Sequence, residues 1–80
     1  MRIDKFLKVS RLIKRRTVAA EACDAGRVSV GGKAVKAAYD VKVGDIVTLR
    51  FGERLLRAEV LSVQETAAKD AAAQMYRVLE

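Results

Sequence analysis

The chain has 80 residues, 51% of them hydrophobic, and its 16 Lys and Arg against 10 Asp and Glu leave a net charge of +6. That length suits one small domain, residues 1–80, with a modest core; with one cysteine and no histidine, an intrachain disulfide and the usual zinc sites are excluded, and no cofactor or metal is expected. No apolar run reaches the roughly 18 residues of a membrane span, and no signal-peptide pattern follows the basic start, so the cytoplasm is the expected compartment.

The charge is unevenly placed. Residues 1–36 hold ten Lys and Arg against three acids, and residues 37–80 hold six against seven. Seven cations fall in the first sixteen residues: Arg2, Lys5, Lys8, Arg11, Lys14, Arg15 and Arg16. Such a one-sided distribution points to a polyanion, of which nucleic-acid phosphate is the commonest.

Ile3, Phe6 and Leu7 fall at i, i+3, i+4, a helical stripe. Asp4 reads as the N-cap of a helix starting at Lys5, and Lys8 is placed to pair with it. This helix fades near Ser10 or Arg11, and Leu12 and Ile13 fill a partly buried connection. A second helix is predicted from about Arg16 to Ala25, with Val18, Ala19, Ala22 and Cys23 as its apolar stripe and Gly26 as its left-handed stop. Lys14, Arg15 and Arg16 sit where positive charge opposes the helix dipole. A chain that tolerates this local penalty uses those charges outside the fold.

Beyond Gly26 the period drops to two. Val28 to Val30 reads as a strand, Gly31-Gly32 as a hairpin turn, and Lys33 to Lys36 as the return strand. Val41 to Asp45 reads as a strand end and turn, Ile46 to Phe51 as a strand, Gly52-Glu53 as a turn, and Leu55 to Val63 as the strand back. Thr66 to Gln74 suits a short helix or ordered loop, and Met75 to Leu79 a last strand. The predicted class is α+β: two N-terminal helices on a small, mainly antiparallel sheet, with a short C-terminal helix and a final strand.

Four segments in order carry a resemblance: Arg2-Ile3-Asp4-Lys5-Phe6-Leu7, Arg16-Thr17-Val18-Ala19, Gly26-Arg27-Val28-Ser29-Val30-Gly31-Gly32-Lys33, and Val43-Gly44-Asp45. Together they resemble the αL RNA-binding motif of the S4 (S-four) domain. Two positions depart from the usual pattern: Gly31 stands where Asn is usual, and Arg15 where Ser is usual. The stretch from Lys5 to Thr17, the Arg50 to Leu55 phrase and the rest of the chain are similar to a narrower family, the stand-alone S4 proteins of bacterial ribosome-associated quality control. A second relative is the heat-shock S4 protein that binds free large subunits carrying a stranded nascent chain.

The first resemblance implies an RNA-binding, non-enzymatic protein. It implies binding to stalled large ribosomal subunits, with contacts to large-subunit rRNA and to P-site peptidyl-tRNA, while a tailing factor extends the nascent chain with alanine. The heat-shock resemblance implies recycling of free subunits instead. By position in the motif, Arg2 and Arg16 are the leading contacts, because a guanidinium grips phosphate bidentately. Arg11, Lys14 and Arg15 come next, then Lys5 and Lys8. A monomer is expected, with no membrane contact; a protein–protein adaptor is the competing class.

Other readings are structural. Asp4 has no catalytic partner in the sequence, and Asp45 is a turn residue. Cys23 is a small buried hydrophobe. Phe6, Tyr39, Phe51 and Tyr76 are too scattered for a base-stacking platform and are expected in the core.

Overall fold

The computed structural model describes residues 1–79. Its elements are α1 (Ile3–Val9), α2 (Arg16–Asp24), β1 (Val28–Val30), β2 (Lys33–Ala34), β3 (Ile46–Phe51), β4 (Arg54–Val60), α3 (Lys69–Ala73) and β5 (Tyr76–Leu79). Kinds and order match the sequence expectation. The five strands form one open antiparallel sheet in the order β2-β1-β3-β4-β5.

Alternation along the strands puts Val28, Val47, Leu49 and Val60 on the covered face. The stripe Ile3, Phe6 and Leu7 of α1 meets them, fully buried, with Ala19 and Cys23 of α2. Ile13 of the interhelical connection, Val41 and Met75 complete the cluster. Burying each large apolar side chain is worth about 1.5–3 kcal/mol. The two helices are therefore fixed to the sheet, and their outer surfaces are held in one arrangement.

The stop after α2 is a Schellman motif. Gly26 has φ +76°, its N–H donates to the Cys23 carbonyl at 3.0 Å, and that of Arg27 donates to the Ala22 carbonyl at 2.9 Å. The β1–β2 hairpin turns on Gly31 and Gly32, with φ of +59° and +86°, and pairs Val30 with Lys33 across two residues.

Several local expectations need correction. Asp4 is not the N-cap of α1. The helix begins at Ile3 after Arg2, and the first free amides, those of Ile3 and Asp4, donate to the carbonyls of Tyr39 and Ala37 at 2.8 and 3.3 Å. Nor does Lys8 pair with Asp4, whose carboxylate turns inward to other partners. The return strand after the hairpin ends at Ala34 rather than Lys36, because residues 36–41 leave the sheet to receive α1, and the expected strand end at Val41 survives only as an Arg2–Asp40 bridge. β4 ends at Val60, since the N–H groups of Leu61 and Ser62 both turn to the Met75 carbonyl. Finally, Val18 and Phe51 are about half exposed, because the core does not extend under that flank of α2 or to the end of β3.

Candidate nucleic-acid interface

The candidate site is built around one buried acid. Asp4, in the first turn of α1, has a side chain 4% exposed. Its Oδ1 accepts the Lys5 backbone N–H at 2.7 Å and Arg2 Nε at 3.2 Å. Its Oδ2 accepts Arg2 Nη2 at 3.2 Å and lies 3.5 Å from Arg16 Nε. One carboxylate thus holds the guanidinium at the head of α1 and the guanidinium opening α2. No buried polar side-chain atom among the described residues is left without a partner.

Burial makes this arrangement stiff, since a charged acid withdrawn from water needs its cationic partners close. The arginines are not consumed by it. Their side chains remain 53% and 46% exposed, and a guanidinium carries five N–H donors. The remaining donors face solvent in a fixed orientation, suited to phosphate oxygens. The negative charge also lies close to the start of α2, where it offsets the clash between Arg15, Arg16 and the helix dipole.

The other predicted cations divide into three cases. Lys8, Arg11 and Lys14 converge on one concavity of about 500 Å³, completed by Val9 and by Glu65, Thr66 and Ala67 of the loop after β4. Arg15 is exposed at the N-cap position of α2 and its side chain caps nothing. Lys5 is already engaged: its Nζ hydrogen-bonds Glu65, and that contact holds the Glu65 carboxyl below the usual carboxylate range. Six of the seven predicted cations are therefore exposed with donors free, and the seventh, Lys5, shares its ammonium with Glu65 at the surface.

Arg11 occupies its place at a conformational cost. It has φ +64°, the one non-glycine with positive φ among the described residues. Its N–H donates to the Lys8 carbonyl at 3.1 Å, and that of Ile13 to the Leu7 carbonyl at 3.1 Å. This tight exit from α1 swings the chain back toward α2 and leaves the Arg11 side chain on the concavity.

Asp4 and Glu65 belong to the site and were misread or missed in the sequence. The Arg-x-Asp spacing at residues 2–4 hinted at the first pairing, but Arg16 and Glu65 reach the site only through the tertiary fold. Elsewhere, burial between the helices pushes the Cys23 thiol up to about 11, with smaller contributions from the Asp4 and Asp24 charges. Among the described residues no group of three metal-ligating side chains comes together, and no helix is long and apolar enough to cross a membrane.

An oriented pair of guanidiniums beside a basic concavity, with no nucleophile–base pair between them, is chemistry for holding phosphates. The S4 domain family model matches residues 1–47, which include α1, α2, the first hairpin and the turn before β3. The chain is 54% identical over 80 residues to the RQC P-site tRNA stabilizing factor of Bacillus subtilis, covering all of this chain and 93% of that one. It is 53% identical over 78 residues to the factor of the same name from Halalkalibacterium halodurans, covering 98% and 89%. Among solved structures, Heat Shock Protein 15 of Vibrio cholerae, a trimer, superposes with a TM-score of 0.91 at 28% identity, covering 99% of this chain and 81% of that one. The chain belongs to the S4 domain family and, within it, to the same group as these stabilizing factors.

Proposed function

We propose that this protein is a non-enzymatic RNA-binding factor of ribosome-associated quality control. It works as a monomer in the cytoplasm, a single domain over residues 1–80. It binds stalled large ribosomal subunits, touches large-subunit rRNA and P-site peptidyl-tRNA together, and steadies the tRNA while a tailing factor adds alanine to the nascent chain. Arg2, Arg11, Lys14, Arg15, Arg16 and Lys8 make the phosphate contacts. Lys5 joins them when Glu65 gives way.

The observation that carries this reading is the Asp4 carboxylate held between Arg2 and Arg16. A generic basic surface has no need to bury an acid to orient two arginines; a site matched to particular phosphates does. Near-complete coverage by relatives named for P-site tRNA stabilization supplies the choice of RNA.

The test is co-sedimentation with purified large subunits, with and without P-site peptidyl-tRNA, over a salt series. Six phosphate contacts predict log K falling with log salt at a slope of about −4 to −5. Arg16→Ala should weaken binding about tenfold while leaving the melting temperature nearly unchanged, because Arg2 keeps Asp4 paired. A salt slope near zero would refute phosphate docking. Equal affinity for subunits with and without the tRNA would refute the P-site role.

A further inference from the structure

We propose a second RNA contact, separate from the Asp4-centred face: the groove between α2 and the end of β3, which takes one unpaired nucleotide with its base stacked on Phe51. This inference rests on the RNA-binding reading above.

Phe51 continues the inward alternation of Val47 and Leu49 past the edge of the core, and the residue is 48% exposed. Its cross-strand partner is Arg54, not another apolar residue, so the hairpin does not use the ring for pairing. Across the groove stands Val18, 46% exposed, with Ala22 beside it. Arg27 and Arg50 also line the space, against the single acid Glu21. Val18, Glu21 and Ala22 fall on the flank of α2 turned away from Arg16, so the groove and the Asp4 pair lie on different sides of that helix.

The volume is about 330 Å³, the small end of the range that encloses one compact ligand. An amphipathic peptide helix would need apolar anchors over two or more turns, which one ring and one valine do not provide. A nucleotide needs less. One aromatic face stacks the base, and positive charge at the groove wall attracts the adjoining phosphates. Arg27 and Arg50 lining the groove, with Arg54 opposite Phe51 across the hairpin, supply that charge.

The chain contains no Trp, so Phe51→Trp installs a single reporter at the site. Titration with a single-stranded RNA hexamer at low salt should quench its emission saturably. Adding Arg27→Glu and Arg50→Glu should abolish the quench. Adding Lys8→Glu and Arg11→Glu instead should leave it, although that variant loses large-subunit binding. In co-sedimentation, Phe51→Ala should weaken binding to tRNA-bearing subunits about tenfold, and Phe51→Tyr should restore it. Unchanged Trp emission at RNA concentrations that saturate the protein would overturn the groove site while sparing the Asp4-centred one. Loss of the quench in the Lys8/Arg11 variant would also overturn it, as would quenching by an acidic peptide and not by RNA. Absence of all RNA binding by the unaltered protein would instead mark failure of the underlying reading.

Discussion

Asp4→Asn separates a positioned site from a merely basic one. The side chains are nearly isosteric, and Asn can keep the 2.7 Å contact with the Lys5 N–H. Lost are the two 3.2 Å charge-assisted bonds from Arg2 and the Arg16 pairing at 3.5 Å. Hydrogen bonds to charged groups contribute about 1.5–3 kcal/mol each when well shielded. Both arginines are half exposed, so solvent screening cuts the share of each to about 1 kcal/mol and the total destabilisation is about 2 kcal/mol. For a domain of this size that lowers Tm by about 8–16 °C. For RNA binding two effects oppose. Removing the acid raises the net charge from +6 to +7, which favours phosphate by at most about 1 kcal/mol at a wet surface. Losing the orientation of two guanidiniums costs about 1 kcal/mol each. The balance is about 1 kcal/mol weaker, or about fivefold. Asp24→Asn makes the same charge change at the far end of α2 and should bind at least as tightly as the unaltered protein. Fluorescence anisotropy with labelled RNA, run below the lowest melting temperature, reads both variants. Equal affinity of the two, with equal melting temperatures, would refute the positioning role of Asp4.

Three further outcomes are expected. Arg11→Gly should relieve the left-handed backbone at φ +64°, stabilising the fold by about 0.5–1 kcal/mol after glycine's extra unfolded-state entropy is subtracted, while weakening RNA binding; thermal melts and anisotropy that both fell would contradict the account of strain. Cys23, pushed from 9.0 to about 11, should react with a disulfide reagent at about pH 8 at least a hundredfold more slowly than a free thiol until denaturant is added; because the native state holds its proton more firmly than the unfolded chain does, its contribution to stability fades as pH rises above about 9. Glu65 binds its proton less readily folded than unfolded, so the Lys5–Glu65 contact should persist through neutral pH and be lost only on acidifying through its lowered native value; a carboxyl resonance titrating at the ordinary glutamate position would show the contact absent in solution.

What was legible in the sequence was what local rules dictate. The stripe Ile3, Phe6 and Leu7 specified both a helix and its buried face, and Gly26 with Gly31-Gly32 located a helix stop and a hairpin. The β3 boundaries were legible because alternation over Ile46–Phe51 is bounded on both sides by glycine turns at Gly44 and Gly52. Asp4 was misread because an acid near a helix start has a common local use, and nothing nearby shows that the amides will be taken by residues 37–39. Its Oδ1 keeps one first-turn amide, that of Lys5, and the carboxylate also serves Arg2 and Arg16. The cationic face was visible as a charge count. Its division into an oriented pair, a concavity and a satisfied lysine was not, because Arg16 and Glu65 lie 12 and 60 residues from the groups they meet. Phe51 was assigned to the core on hydrophobicity, but a ring at a strand end is buried only if another element reaches it.

The local rules this chain breaks are broken together. Arg11 takes a left-handed backbone without being glycine, Arg15 stands at an N-cap position where a side-chain acceptor is favoured, and Arg15 and Arg16 add positive charge where α2 is already positive. All three lie within residues 11–16, and each departure adds a cation to the same face. Each is opposed by backbone energetics of about 0.5–2 kcal/mol, a large share of what an 80-residue domain can spare. The core makes the departures sustainable, because Phe6, Leu7, Ile13 and Ala19 pin this segment on both sides regardless of its backbone preference. Asp4 then recovers part of the electrostatic cost from beneath. A surface that needed only solubility could carry the same charge on the exposed side of the sheet at no such cost. Concentrating it on a strained connection fixed between two pinned helices fits the proposal that the position of each charge matters, as reading folded RNA by the geometry of its phosphates requires.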